Sequence, residues 1–314
     1  MILVTGGTGF IGRHLIRRLA ADGRDVRVLI RPAEASPALP PGVAVQAAIS
    51  SLSDLRGLRA SLVDVEAIFH LAGVSWTDRQ LDWFETEIEG TRNLLEAAQD
   101  AGVKRMLTLS HLGADRAAAY ALHKAKGIVE ERIRDSQMDY TIIRSGLAFG
   151  PGDNFTVPLA KLIAISPWAF PMPGDGNALV HPIWVEDLVS CLTWALDDKD
   201  CYNAVVEIGG PEHLTLEAIL LEIMDATAKS RVLASVRPSY LRYVSNFLRF
   251  ALPQLPISNV WLDYLSSSRV TDIETISRVF GLMPVRFSQR LDHLREVDWG
   301  RQFLGELFGR AANA

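Results

Sequence analysis

Three groups of residues in this chain have types and spacings that chemistry can use. Tyr120 and Lys124 stand four apart in Y-A-L-H-K. On a helix, residues four apart share a face. An ammonium beside a phenol lowers the phenol's pKa, and such a tyrosine can pass a proton to or from a carbonyl or alcohol. Ser110, ten residues earlier, ends an apolar run where its hydroxyl could polarise a bound oxygen, and His111 beside it is a second donor. The glycines at 6, 9 and 12 in T-G-G-T-G-F-I-G form the second group. Gly6 permits a tight bend, Gly9 lets the backbone approach a pyrophosphate, and Gly12 lets a helix pack closely on a strand. The free N–H groups of that helix end attract phosphate. Arg31 is the third, at the end of the second apolar run.

These groups need a scaffold. Ile2–Val4 is an apolar run, and Phe10, Ile11, Leu15, Ile16 and Leu19 follow at helical spacing. A buried strand, a glycine turn and a helix are the reading. Further strands are predicted over 25–30, 43–47, 67–71, 105–110 and 140–144, and helices over 81–101 and 120–135. Repeated βα units imply an α/β, Rossmann-type, doubly wound parallel sheet, with ligands at the carboxyl ends of its strands. Residues 1–150 form this domain. Residues 151–314 make a smaller, mostly helical lobe, with 178–210 returning to the sheet through a helix over 185–196 and a strand over 205–208. In such a fold an arginine at position 31 meets a 2′-phosphate, whereas a 2′-hydroxyl calls for an acid, and the first acid is Glu34. NADP(H) is therefore expected over NAD(H).

Bulk properties narrow the class. A net charge of −5 argues against general nucleic-acid binding. No run of 18 apolar residues predicts a spanning helix. The first strand begins at Ile2, so no cleavable leader is expected. Cys191 and Cys201 lack metal spacing and read as reduced thiols of a cytoplasmic protein.

The motifs T-G-G-T-G-F-I-G, H-L-A-G (70–73), E-G-T-R-N-L-L-E-A-A (89–98), the Tyr120/Lys124 pair and R-S-G-L-A-F-G-P-G (144–152) carry a resemblance. Together they are similar to the extended or atypical short-chain dehydrogenases/reductases of the NAD-dependent epimerase/dehydratase superfamily. S-H-L-G-A-D (110–115), F-A-L-P-Q-L-P (250–256) and F-G-L (280–282) resemble one branch, the bacterial relatives of the nucleotide-binding accessory subunit of respiratory complex I. The resemblance implies NADP(H) along the strand ends. Gly6, Thr8, Gly9, Phe10, Ile11 and Gly12 would cradle the pyrophosphate, and Arg31 would meet the 2′-phosphate. Leu71, Ala72 and Gly73 would line the adenosine side. Tyr120 and Lys124 would bond the nicotinamide ribose, Ser110 would touch the cofactor, and Ser145, Gly146 and Leu147 would pass the carboxamide. Three departures stand out: Ala47-Ala48-Ile49 replaces an acid near the adenine, Glu87 stands where the superfamily has a catalytic asparagine, and Ser110 is unusually close to the tyrosine.

Two functions follow. One is an oxidoreductase or epimerase, with hydride transfer and Tyr120, Lys124 and Ser110 as its catalytic residues, acting on a small, hydrophobic substrate. The other is a cofactor-holding structural or assembly protein of a respiratory membrane complex with little turnover. A nucleotide-binding redox regulator is a third. His181, Asp153 and Asn154 are candidates for the substrate entrance, and Glu186 and Asp187 for a helix N-terminus. Over 239–252, Tyr240, Tyr243, Val244, Phe247, Leu248 and Ala251 make an apolar stripe with Arg242 and Arg249 on the other face. Phe303, Leu304, Leu307 and Phe308 make another. Such stripes pack on a core, or meet a membrane surface or a membrane partner, giving a cytoplasmic protein that is peripheral on the membrane.

Overall fold

The computed structural model describes residues 1–32, 39–73, 84–251, 259–265 and 267–309. In chain order the elements are β1 (Ile2–Thr5), α1 (Phe10–Ala21), β2 (Val26–Ile30), β3 (Gln46–Ile49), α2 (Leu55–Ser61) and β4 (Ala67–His70). A π-helical turn (Phe84–Glu89) leads into α3 (Gly90–Asp100), β5 (Arg105–His111), α4 (Ala121–Arg134), β6 (Asp139–Ser145) and β7 (Ala148–Phe149). Then come α5 (Thr156–Ile165), β8 (Ala169–Pro173), β9 (Leu179–Val180), β10 (Ile183–Trp184), α6 (Val185–Asp197) and β11 (Ala204–Ile208). The chain continues through β12 (Leu214–Thr215), α7 (Leu216–Ala226), β13 (Val232–Val236), α8 (Pro238–Ala251), α9 (Asn259–Leu265), α10 (Thr275–Phe280) and α11 (Trp299–Gly309).

One compact unit comprises Met1–Ser145, Val185–Ile208 and Thr275–Leu282. Its seven strands run in the order β11-β6-β5-β4-β1-β2-β3, and every neighbouring pair is parallel. Val4, Val28, Ile68, Phe69, Met106, Leu107, Ile142 and Ile143 are fully buried in it. Strands covered on both faces read as continuous apolar runs, which is why the sequence shows them so clearly. Leu58 of α2, Leu94 and Ala97 of α3 and Val129 and Ile133 of α4 share one core cluster with Leu3, Ile68 and Ile142. α1 and α6 pack on each other. Strand order reverses between β1 and β4, where a doubly wound sheet opens its ligand crevice.

Several boundaries move. The third strand is Gln46–Ile49 rather than 43–47; it is an edge strand with an exposed face, Ile49 included, so burial gives it no apolar signature. The helix expected over 81–101 begins, within the described residues, as the π-helical turn, and 81–83 lie outside them. Gly102 stops it at φ +72. The helix expected from Tyr120 begins at Ala121, because Tyr120 has extended backbone (φ −88, ψ 129) and serves as its N-cap. The returning segment starts at Val185, not 178, and Thr275–Leu282 joins it.

The second unit comprises Gly146–Trp184, Gly209–Glu274 and the chain from Met283. It holds three two-stranded ribbons: β7 with β10, β9 with β12 and β8 with β13. Helices α5, α7, α8, α9 and α11 belong to it, and α5 packs on both α7 and α11. Phe149 stacks edge-on to Phe287 at 4.8 Å between centroids.

Candidate functional site: a glycine turn beside a buried proton-bearing network

The turn after β1 has little steric latitude. Gly6 sits at φ +71, and a Cβ there would lie 2.6 Å from Ala72 N and from the Leu71 carbonyl group. The turn is thus pressed onto the chain leaving β4. A Cβ on Gly12 would lie 2.2 Å from Gly6 O, so α1 starts as close to the strand end as backbone allows. Gly9 differs. It is exposed, its N–H donates to Gly6 O at 3.0 Å, and a Cβ would meet only that oxygen, at 3.2 Å. It N-caps α1 without a side-chain cap. The first N–H groups of the helix have no intrahelical partner there and carry the positive end of its dipole. That cradle fits the pyrophosphate of a dinucleotide. Phe10 is buried and its ring packs edge-on to His14 at 5.3 Å, so its part in a cradle is its backbone N–H. Thr8 and Ile11 are half-buried at the same turn.

A hydrogen-bonded chain runs beneath the strand ends. Ala72 N donates to Thr5 Oγ1 at 3.2 Å. Thr5 Oγ1 lies 2.7 Å from His70 Nδ1, and His70 Nε2 lies 3.0 Å from Thr91 Oγ1. Thr91 Oγ1 donates to Glu87 O at 2.5 Å, so it accepts from His70; the imidazole is then the Nε2–H tautomer, and Thr5 donates to Nδ1. Glu87 closes the chain through its carboxylate, to which Lys126 Nζ donates at 2.7 Å. A Cβ on Gly73 would lie 2.5 Å from Glu87 Oε1 and 3.1 Å from Lys126 Nζ, so Gly73 leaves just the room this ion pair needs. His70 is held neutral, its pKa down to about 3, first by burial and then by the Lys126 charge.

The sequence-derived site residues fall into distinct positions. Leu71, Ala72 and Gly73 lie at the end of β4, against the glycine turn and the ion pair. Arg31 follows β2 and is exposed, and no hydrogen bond or ion pair holds it among the described residues; Glu34 lies outside them. Tyr120 is half-buried, its ring 6.3 Å from that of His123. Lys124 is exposed, while Lys126, two residues on, is buried against Glu87. Tyr120 is the N-cap of α4 and not its first helical residue, and Lys124 N donates to its carbonyl at 3.0 Å. Ser110 is buried and donates its one hydroxyl proton to Glu130 Oε1 at 2.7 Å, and Glu130 also takes both Arg144 and Arg134. Ser110 therefore has no proton left to polarise a substrate oxygen. Ser145 is buried at the end of β6 and its carbonyl accepts from Leu112 N at 3.3 Å. Gly146 and Leu147 belong to the second unit: a Cβ on Gly146 would clash with His181 O at 1.8 Å, and the Leu147 carbonyl accepts from Ile183 N. Sequence reasoning missed Lys126 and His70. The available signal was the A-K-G of 125–127, a lysine next to a glycine that lets α4 press on the backbone at Asp115–Arg116.

Other candidates have structural duties. Asp153 turns inward and accepts from Gly150 N, Phe155 N, Val157 N and Thr156 Oγ1 at the start of α5; burial pushes its carboxyl up against the pull of those bonds. His181 is fully buried, with Nε2 on Gly210 O at 2.8 Å, and burial lowers its pKa to about 4. Glu186, in the first turn of α6, bonds His14 at 2.5 Å. Cys191 and Cys201 are free and buried, and burial raises both thiols, Cys201 to about 11.

Known proteins are similar to this chain in sequence and in fold. The model of the NAD dependent epimerase/dehydratase family matches residues 2–209. A mitochondrial protein of Arabidopsis thaliana, NADH dehydrogenase [ubiquinone] 1 alpha subcomplex subunit 9, is 27% identical over 228 residues, covering 70% of this chain and 56% of its own. The ceramide reductase of Caulobacter vibrioides is 34% identical over 169 residues, covering 53% of this chain and 52% of its own. This chain thus spans about half the length of these two relatives. Among solved structures, the UDP-glucose 4-epimerase of Thermotoga maritima aligns with a TM-score of 0.72 at 22% identity, covering 96% of this chain and 99% of that one, and shares the fold.

Proposed function

The chain belongs to the NAD dependent epimerase/dehydratase family, and from that premise we propose that it is an NADP(H)-dependent oxidoreductase acting on a neutral, hydrophobic carbonyl or alcohol. The uncapped, exposed Gly9 end of α1 at the strand-order reversal carries this reading. Gly6, Thr8, Gly9, Phe10, Ile11 and Gly12 hold the pyrophosphate, and Arg31 grips the 2′-phosphate with charge-assisted bonds. Leu71, Ala72 and Gly73 flank the adenosine, and Ser145, at the end of β6, the carboxamide. The nucleotide, when bound, supplies or accepts the hydride. Tyr120 moves the proton. Of the two lysines near it in sequence, Lys126 is the one at the end of β4, held by Glu87; Lys124 has the i+4 spacing and is exposed. The ceramide reductase among the relatives supports a lipid-like substrate.

The commitment of Ser110 to Glu130 favours a second reading, a nucleotide-holding subunit or assembly protein with little turnover. The similarity to a complex I subunit points to a respiratory membrane complex as its partner. Titration of NADPH and NADH against wild type and Arg31→Ala tests the cofactor: NADPH binds more tightly, and the substitution removes the preference. Equal affinities in the wild type would refute it. Tyr120→Phe separates the readings. An enzyme loses ~10²–10⁴-fold in rate. A scaffold loses only the ~0.5–1.5 kcal/mol of one hydrogen bond in nucleotide affinity.

A further inference from the structure

Within the second unit, the start of α5 is tied to the C-terminal segment by three consecutive contacts. Asp153 Oδ2 lies 2.6 Å from Thr156 Oγ1, Thr156 Oγ1 lies 3.0 Å from His293 Nε2, and His293 Nδ1 lies 3.1 Å from Arg290 O. All three side chains are buried. Each contact needs one proton between its heavy atoms, so the series needs three. The threonine hydroxyl brings one and a neutral imidazole brings one. An ionised carboxylate and a backbone carbonyl bring none. With two protons, one contact is left with two acceptors facing each other in the interior, which costs free energy. A third proton completes the series.

We infer that Asp153, Thr156 and His293 form a relay that keeps this third proton at neutral pH, carried on His293 as the imidazolium, and that the proton fastens the C-terminal segment to α5. Asp153 also accepts from Gly150 N and Phe155 N at 2.9 Å and from Val157 N at 3.0 Å. Three backbone donors and the positive end of α5 favour the ionised carboxylate. Thr156 then donates to Asp153 and accepts from Nε2–H, while Nδ1–H donates to Arg290 O. The carboxylate lies 3.9 Å from Nε2 and balances the charge. Burial lowers the His293 pKa, and the Asp153 charge, the Arg290 carbonyl and Asp292 raise it; with both ring nitrogens on acceptors, the upward pull is the stronger. The remaining charged groups have other partners or face solvent. Asp292 pairs with Arg295, the Arg290 guanidinium lies over the Trp184 ring, and Lys161 of α5 pairs with Glu306. Helix α7 packs on the turn Asp292–Leu294 with Glu217 and Asp225 exposed and Glu222 half-buried. Trp299 Nε1 donates to Leu294 O, so α11 hangs on the same turn. An unfolded imidazole releases its proton near pH 6.5, and the folded relay releases it higher. Stability from the relay is complete below 6.5 and is lost as pH rises through the folded value. None of this involves the nucleotide, so it stands apart from the proposed oxidoreductase.

Urea denaturation of the full chain at pH 6 and pH 8 counts the proton. Over that interval the folding constant of wild type should fall about five- to twentyfold more than that of Thr156→Val, which removes the middle hydroxyl. Thr156→Ser keeps the hydroxyl and should keep the wild-type dependence. His70 and His181 are present in all three proteins, so their contributions cancel. Nitrogen NMR of the histidine rings in the wild type locates the proton. His293, assigned through its own backbone correlations, should carry a proton on both ring nitrogens at pH 7.5. The inference is overturned if wild type and Thr156→Val lose stability equally, if Thr156→Ser behaves like Thr156→Val, or if the His293 ring is singly protonated at pH 7.5. The ring spectrum needs no variant, so it decides even where a substitution prevents folding.

Discussion

Lys126 Nζ lies 2.7 Å from the carboxylate of Glu87, a residue only 1% exposed, while Lys124, two residues earlier, points to solvent. The pair joins α4 to the turn before α3, under the end of β4. Removing one partner of a buried ion pair leaves an uncompensated charge and costs ~3–5 kcal/mol, whereas removing both costs far less. Lys126→Met should therefore destabilise by about that amount, and Glu87→Gln/Lys126→Met should recover most of it. Lys124→Met should stay within about 0.5 kcal/mol of wild type. Urea midpoints of the four proteins check this. Equal losses for the two lysine variants would show that the buried pair holds nothing together.

Sequence pattern made the sheet legible because a parallel strand buried on both faces must be apolar throughout, as in Ile2–Val4 and Ile142–Ile143. It misjudged β3, whose edge position removes that demand. The glycine turn was legible because close backbone approach admits no other residue at positions 6 and 12. Lys126 was not. Which of two lysines two apart turns inward depends on where the helix starts, and Tyr120 reads equally well as its first residue or as its cap. Ser110 showed its position but not its partner, since Glu130 comes from twenty residues along the chain.

His70 carries a pH signature. Its folded pKa, about 3, is below the ordinary value of 6.5. As pH falls through 6.5 the unfolded chain takes up a proton that the folded one refuses until near 3. Stability from the neutral imidazole is thus complete above 6.5 and declines by about 1.4 kcal/mol per pH unit below it. Between pH 7 and pH 5 the wild type should lose about 2 kcal/mol more than His70→Asn. His181, also depressed, declines in the same direction and is present in both proteins, so it cancels. Urea denaturation at the two pH values gives the difference; identical losses would mean that His70 is already charged or already solvated.

Gly9 and Gly12 should fail in different ways. At Gly9, φ is −73 and ψ 173, a conformation any residue adopts, and a Cβ meets only Gly6 O. Gly9→Val should fold, yet lose nucleotide affinity by on the order of 100-fold, because several charge-assisted bonds of ~1.5–3 kcal/mol each need close approach. At Gly12 a Cβ would lie 2.2 Å from Gly6 O, so Gly12→Ala should lower the unfolding midpoint itself. Nucleotide titration alongside thermal unfolding separates the two. A folded Gly9→Val that binds like wild type would place the nucleotide elsewhere.

The α8 stripe bears on where the protein sits. Tyr240, Tyr243, Val244 and Phe247 are 60%, 76%, 50% and 69% exposed, at the i, i+3, i+4, i+7 spacing of one helical face. The side chains of Leu248, Arg249, Ala251 and Phe308, and the segment 252–256 of the F-A-L-P-Q-L-P motif, lie outside the described residues. Among the described residues no helix is long and apolar enough to cross a membrane, so a lipid contact would be at the surface. Apolar burial and basic residues at about 1 kcal/mol each act together at such a contact. Flotation with phosphatidylglycerol vesicles should recover the wild type at low salt and less of it at 0.5 M, where charges are screened within a few ångströms. Tyr243→Ser/Phe247→Ser should abolish flotation at any salt, and Arg242→Glu/Arg249→Glu should abolish only its salt-sensitive part. Wild type that stays at the bottom of a low-salt gradient would assign the exposed aromatic face to a protein partner instead.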